Sequence, residues 1–126
     1  LNTHPLKNIS IFHFQDLNNN ELSLFYENAY IVTYLSKYEG YGLPIAESLS
    51  YGNITIVSKN SSMPEVGKNY ADYLDINKSS ELTKTIKNYL ENQKDYKSRV
   101  TFIKKNYKKL YWKDFYILLK NDLLKS

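Results

Sequence analysis

Glu39 and Glu47 are separated by seven residues that include Gly40 and Gly42, within the run Ser36-Lys37-Tyr38-Glu39-Gly40-Tyr41-Gly42-Leu43-Pro44-Ile45-Ala46-Glu47. Ionised carboxylates only accept hydrogen bonds, so a pair of them suits a neutral polyol with several O–H donors. Each charge-assisted bond of that kind contributes about 1.5–3 kcal/mol once desolvated. Glycines at 40 and 42 let the backbone come close to a ligand or take positive φ. A helix opening near Leu43 presents free N–H groups and a positive dipole end, which suit phosphate. Together the pieces would grip a sugar on one side of a phosphate and a ribose on the other. The same residues also fit ordinary surface acids around a glycine turn, and physical chemistry alone leaves the two readings level.

Such a site needs a strand that ends just before it and a helix that starts just after it. The sequence supplies both. Tyr30–Leu35 is β-branched and aromatic, which predicts a strand. Leu43–Tyr51 predicts a helix with Pro44 in its first turn and Gly52 as its stop. Asn8–Phe14, with Ile9, Ile11, Phe12 and Phe14, predicts an earlier strand, and Asn18–Asn20 a turn and cap. Glu21–Asn28 follows as a short helix with Leu22, Phe25 and Tyr26 on one face. Ile54–Ser58 is an uninterrupted apolar run, as in a buried parallel sheet. Met63–Val66 predicts one helical turn, with Ser61 or Ser62 capping and Pro64 at its start, and Ala71–Ile76 a short strand. Ser79 and Ser80 are expected to cap a helix to about Asn92. Further helices are expected over Asp95–Tyr107 and Trp112–Leu124. Strands separated by helices predict an α/β, Rossmann-like parallel sheet of about four strands, a single domain over 1–126 closed by helices from about 79. In open sheets of this class ligands bind at the C-terminal ends of the strands, where Glu39–Glu47 falls.

The run E-G-Y-G-L-P-I-A-E, followed by A-E-S-L-S-Y-G and later by S-S-M-P-E-V, resembles family 4 (group 1) glycosyltransferases. Those are retaining enzymes of the GT-B fold with an E-x7-E hallmark. The resemblance runs from about Ile9 to Ile76, and more loosely through the closing helices. It implies the donor-binding C-terminal part of such an enzyme, using a UDP- or GDP-sugar and no metal. By position, Glu39 resembles the glutamate that contacts the donor hexose and Glu47 the one that binds ribose. Gly40, Tyr41, Gly42 and Leu43 match backbone lying against sugar and diphosphate. Asp16 and Leu17 fall where the family loop brushes the nucleobase, and Pro64 and Glu65 match a loop bordering the cleft. Gln15 stands where the family commonly has Gly, which would reshape the base pocket. Ile54 stands where it commonly has Pro, which alters only the entry to a strand. The basic pair that clamps the diphosphate, and the N-terminal lobe that binds a glycan, lipid or polysaccharide acceptor, would lie upstream. Lys37 is near the run but matches no clamp position and reads as a solvated loop lysine. The resemblance therefore implies that this chain alone is inactive, and that the missing strands leave a sheet edge near Ile9–Phe14 open to homodimer formation.

The totals exclude other classes. The 126 residues are 42% hydrophobic and 24% charged, as in a soluble globular domain. There is no cysteine, which excludes disulfides, thiolate metal sites and cysteine nucleophiles and fits a reducing cytoplasm. No D-x-D, P-loop or dinucleotide fingerprint occurs. His13 sits in an apolar stretch and reads as a core or edge residue. No apolar run approaches a membrane span, and no leader pattern opens the chain, which begins with Leu1. Residues 79–126 carry 12 Lys and Arg against five acids, whereas residues 1–78 carry five against eight. A solvated helical surface explains that asymmetry, with no nucleic acid expected as partner. Trp112, Phe115, Tyr116, Leu119 and Leu123 form a stripe that suits packing on the sheet or a neighbouring lobe. Two rival functions follow from these features. One is a non-catalytic subunit or degenerate module that binds a partner lobe. The other is a basic module lying at the inner face of a membrane.

Overall fold

The computed structural model describes residues 10–37, 42–60 and 63–108. Eight elements alternate along the chain. They are α1 (Asn19–Asn28), β1 (Ile31–Tyr34), α2 (Leu43–Ser50), β2 (Ile54–Ser58), α3 (Met63–Gly67), β3 (Asp72–Leu74), α4 (Ser79–Glu91) and α5 (Gln93–Asn106). The three strands form one parallel sheet in the order β1-β2-β3, with Ile31 opposite Ile54 and Ile56 opposite Asp72. The architecture is α/β with helices flanking a parallel sheet, as the alternation of patterns predicts.

β2 is central because its sequence demands burial on both sides. Successive strand residues face opposite sides of a sheet, and all five residues of β2 are buried. Ile45 and Leu49, one turn apart on α2, join Ile54, Ile56, Val57, Met63, Leu74, Tyr89 and Ile103 in the core. Two hydroxyls are buried with them and satisfy each other: Ser48 Oγ lies 2.7 Å from Thr55 Oγ1. α2 is thereby pinned to the central strand.

The closing helices reach back across the sheet through tyrosines. Tyr30 and Tyr96 stack with centroids 3.9 Å apart, and the Tyr30 hydroxyl donates to the Tyr89 carbonyl at 3.0 Å. Arg99 on α5 donates to Asp72 Oδ1 on β3 at 2.9 Å, and the Tyr89 hydroxyl of α4 donates to Asp72 Oδ2 at 2.6 Å. Gly52 ends α2 at φ +80°, and a Cβ there would collide with the Lys104 side chain of α5.

Three expectations are corrected. The described part of the strand expected over Asn8–Phe14 holds only an isolated bridge at Ile11. Phe12 and Phe14 are exposed, and Phe14 packs against Phe25 of α1, 4.9 Å between centroids, instead of entering a ladder. Among the described residues the sheet therefore has three strands, and its outer strand on that side is β1. His13, in the same segment, is exposed, neither in the core nor on a strand. The N-cap of α4 is Lys78, ahead of the expected Ser79 and Ser80, and the Lys78 side chain makes no capping bond. The helix starts earlier because the Asp75–Lys78 turn feeds it. Lys78 N–H donates to the Asp75 carbonyl at 2.9 Å, and Asn77 N–H donates to the Asp75 carboxylate at 3.0 Å. That Asn77 bond is the chief reason the Asp75 carboxyl is held below its usual range. The helix expected over Trp112–Leu124, and the capping role of Ser61 or Ser62, lie outside the described residues.

Candidate donor-binding site

The C-terminal ends of β1 and β2 are tied together before the site begins. Ser58, buried at the end of β2, donates to the Ser36 carbonyl at 2.6 Å and approaches Met63 Sδ at 3.1 Å. One hydroxyl thus joins the exit of β1, the exit of β2 and the start of α3.

Gly42 opens α2 in the left-handed region, at φ 76° and ψ 42°. An added Cβ would sit 3.1 Å from Ile45 Cδ1 and 3.8 Å from Val66 Cγ2. Both the backbone conformation and the space therefore call for glycine. The helix end is leaner in donors than its sequence suggests. Pro44 has no N–H, and the Ile45 and Ala46 N–H groups return to the Gly42 carbonyl at 3.0 and 3.4 Å. The Leu43 N–H bonds no described residue and is what this first turn leaves for a ligand. The Leu43 side chain is 53% exposed.

Glu47 lies one turn beyond Leu43 on the same face of α2 and is half-buried. Its Oε2 accepts a hydrogen bond from the Tyr26 hydroxyl of α1 at 3.4 Å. Tyr26 stacks on Tyr51 with centroids 5.4 Å apart, and the Tyr51 hydroxyl donates to Ser23 Oγ at 2.8 Å. Burial, followed by the negative charge of Glu47, pushes the Tyr26 phenol up to about 12. It stays a neutral donor throughout the ordinary pH range.

The remaining residues expected at the site stand as follows. Asp16 is exposed and takes φ 55°, a conformation that a short polar side chain tolerates. The left-handed residue of that loop is thus Asp16 itself, beside Gln15 where the resemblance expects glycine. Leu17 is half-buried, and Asn18 caps α1 in a reciprocal box with Glu21. Glu65 is exposed on α3, whose Val66 backs Gly42, so α3 borders the opening of α2. Lys37 and Lys59 are exposed just beyond the C-terminal ends of β1 and β2. Glu39, Gly40 and Tyr41 lie outside the described residues. Among the described residues no cluster of His, Cys, Asp or Glu could hold a metal ion.

Sequence reasoning missed the partner of Glu47. Tyr26 reads as part of the apolar face of α1, and 21 residues separate it from the glutamate. Only the docking of α1 against α2 brings them together. An apolar groove of about 580 Å³ between α1 and β1, lined by Leu24, Phe25, Ile31 and Val32 among others, contains none of the residues expected to bind a donor. Its lining is mostly apolar, with Tyr26 and Asn28 as the polar residues, and suits a nucleotide poorly.

Residues 2–109 match the model of the family described as Glycosyl transferases group 1. No curated protein and no solved structure matches the chain.

Proposed function

Because the chain belongs to the group 1 glycosyl transferases, we propose that it binds a nucleotide-activated sugar, UDP- or GDP-linked, for retaining transfer to a glycan, lipid or polysaccharide acceptor. The observation that carries this reading is the opening of α2. A left-handed Gly42, a Leu43 N–H that bonds no described residue and a half-buried Glu47 stand in order at the start of the helix that follows β1 in the chain. In this reading Glu47 accepts the two ribose hydroxyls. Gly40, Tyr41, Gly42 and Leu43 lay their backbone along the sugar and diphosphate. Glu39 orients the hexose as positive charge develops at its anomeric carbon. Asp16 and Leu17 lie against the base, and Glu65 borders the cleft. The bond from the anomeric carbon to phosphate oxygen breaks, with its electron pair leaving on the diphosphate. The acceptor hydroxyl oxygen then bonds the same face of the sugar, its O–H bond breaks, and the proton passes to the departing diphosphate. Partial positive charge at the end of α2 meets the leaving group, so the reading needs no metal.

A basic surface-binding module is the rival with an observation behind it. Lys84, Lys87, Lys94, Lys97, Lys104, Lys105 and Lys108 are all exposed on α4, on α5 and just beyond it. No helix among the described residues is long and apolar enough to cross a membrane. Affinities for UDP, GDP and anionic liposomes separate the two readings when measured on the parent chain and on a Glu39→Ala, Glu47→Ala double variant. Donor binding predicts that the variant loses nucleotide affinity by at least ten-fold. Liposome binding that is salt-sensitive and unchanged in the variant, with no nucleotide binding in either chain, would establish the rival instead.

A further inference from the structure

Glu47 does not stand alone on α2. A carboxylate at that depth needs its orientation fixed if it is to accept two hydroxyls in a set geometry, because a free glutamate side chain has three rotatable bonds to lose. One of its oxygens, Oε2, is engaged by the Tyr26 hydroxyl at 3.4 Å. Tyr26 is itself held from three directions. Its ring stacks on Tyr51 at 5.4 Å and an interplanar angle of 21°. Its carbonyl accepts from Asn53 Nδ2, at the entry to β2, at 2.8 Å. Its helix is locked to α2 through the Tyr51–Ser23 hydrogen bond at 2.8 Å. The ring has little freedom, so the hydroxyl presents a fixed donor to Glu47. Oε1 takes no hydrogen bond from any described residue, and Glu47 is only half-buried, so that oxygen is the one open to a ligand.

We propose that Tyr26 is a positioning residue for ribose recognition: it anchors one oxygen of Glu47 and so aims the other at the ribose of the bound nucleotide. This rests on the donor reading given above and adds to it a residue from a different element. α1 then contributes to selectivity for a ribonucleotide over a 2′-deoxyribonucleotide without touching the ligand. The Tyr26 phenol, raised to about 12 by burial and then by the charge of Glu47, agrees, since its hydroxyl is a protonated donor at neutral pH.

The test compares UDP and GDP with their 2′-deoxy counterparts on the parent chain, on Tyr26→Phe, on Glu47→Gln and on the double variant. Tyr26→Phe keeps the ring and its stack on Tyr51 and removes only the hydroxyl. It is expected to weaken UDP or GDP binding by about three- to ten-fold, as for loss of a long bond to a charged acceptor. The 2′-deoxy nucleotides are expected to lose much less, so the selectivity ratio falls. In the Glu47→Gln background the same substitution is expected to change nothing further. A purely structural tyrosine would weaken both nucleotides equally and additively, and that outcome overturns the inference. So does an unchanged selectivity in Tyr26→Phe when Glu47→Gln loses it. If Glu47→Gln leaves all binding unchanged, or none of the four nucleotides binds, the donor reading has failed and the inference falls with it. A measurement on the unmutated chain stands beside the variants. The Tyr26 ring ¹³Cζ signal is expected to move on adding UDP or GDP with the same midpoint as the Leu43 amide. A Tyr26 signal that stays fixed while Leu43 and Glu47 respond overturns the inference without any substitution.

Discussion

Gly42 carries two constraints at once, and they act in the same direction. Its φ of 76° costs an L residue about 1–2 kcal/mol. The crowding at Ile45 Cδ1 allows little relief. Gly42→Ala is therefore expected to lower unfolding free energy by about 1–2 kcal/mol, read from the denaturant midpoint, and to weaken nucleotide binding with it. An unchanged midpoint would mean that the turn relaxes freely. The tyrosines set a second prediction at this scale. Burial raises Tyr26 and Tyr73 to about 12, against an ordinary value near 10. Tyr89 and Tyr96 are raised as well, also chiefly by burial. Each folded-state value lies above its unfolded value, so the stabilisation is fully present below about pH 10 and is lost as pH rises from there toward 12. Thermal unfolding followed against pH is expected to hold steady from neutral to about pH 10 and then to fall steeply. A melting temperature that stays flat to pH 12 would contradict the burial of these phenols.

α5 is fastened to β3 by one charged contact that sequence could not show. Arg99 and Asp72 lie 27 residues apart, and their side chains are only 21% and 22% exposed. Tyr89 takes the other carboxylate oxygen, and Arg99 also donates to the Asn69 carbonyl at 3.1 Å. Arg99→Ala leaves a mostly buried carboxylate with the Tyr89 hydroxyl as its remaining side-chain hydrogen-bond donor among the described residues. The expected cost is about 2 kcal/mol, within the range for losing a hydrogen bond to a charged group, and chemical denaturation would measure it. The pair also illustrates what sequence could and could not reveal. β2 and α2 were legible because their signals are local. An unbroken apolar run marks a strand covered on both faces, and Pro44 with Gly52 marks the ends of a helix. The start of α4 was misplaced because it depends on how the Asp75 carboxylate folds its own turn. The early strand was overread because apolar alternation at Ile11, Phe12 and Phe14 does not say whether a neighbour is there to pair. The rings of Phe14 and Phe25 meet each other instead. The links from Tyr26 to Glu47 and from Arg99 to Asp72 join residues distant in sequence, and only packing brings them together.

At the scale of the molecule, several of the candidate groups follow the ends of strands of one parallel sheet. Gly42, Leu43 and Glu47 follow β1, the exposed Lys59 follows β2, and α3 lies beside them. That arrangement can hold one substrate on one side. Transfer needs a second surface to present the acceptor hydroxyl and exclude water. The 126-residue polypeptide by itself is therefore expected to show no turnover of UDP- or GDP-sugars with glycan or lipid acceptors, and transfer by it as the sole protein would contradict that expectation. The family resemblance is legible from the E-x7-E run together with the A-E-S-L-S-Y-G and S-S-M-P-E-V stretches that follow it in order. How its second glutamate is held was not legible. The central claim, that nucleotide binds where α2 opens, is tested most directly by mapping backbone amide signals during titration with UDP and with GDP. The account predicts that shifts concentrate at Gly42, Leu43 and Glu47, with smaller ones at Glu65 and Val66, while α4 and the body of α5 stay still. Signals at Gly42–Glu47 that do not move at millimolar nucleotide, or shifts confined to the lysine-rich faces of α4 and α5, would contradict it.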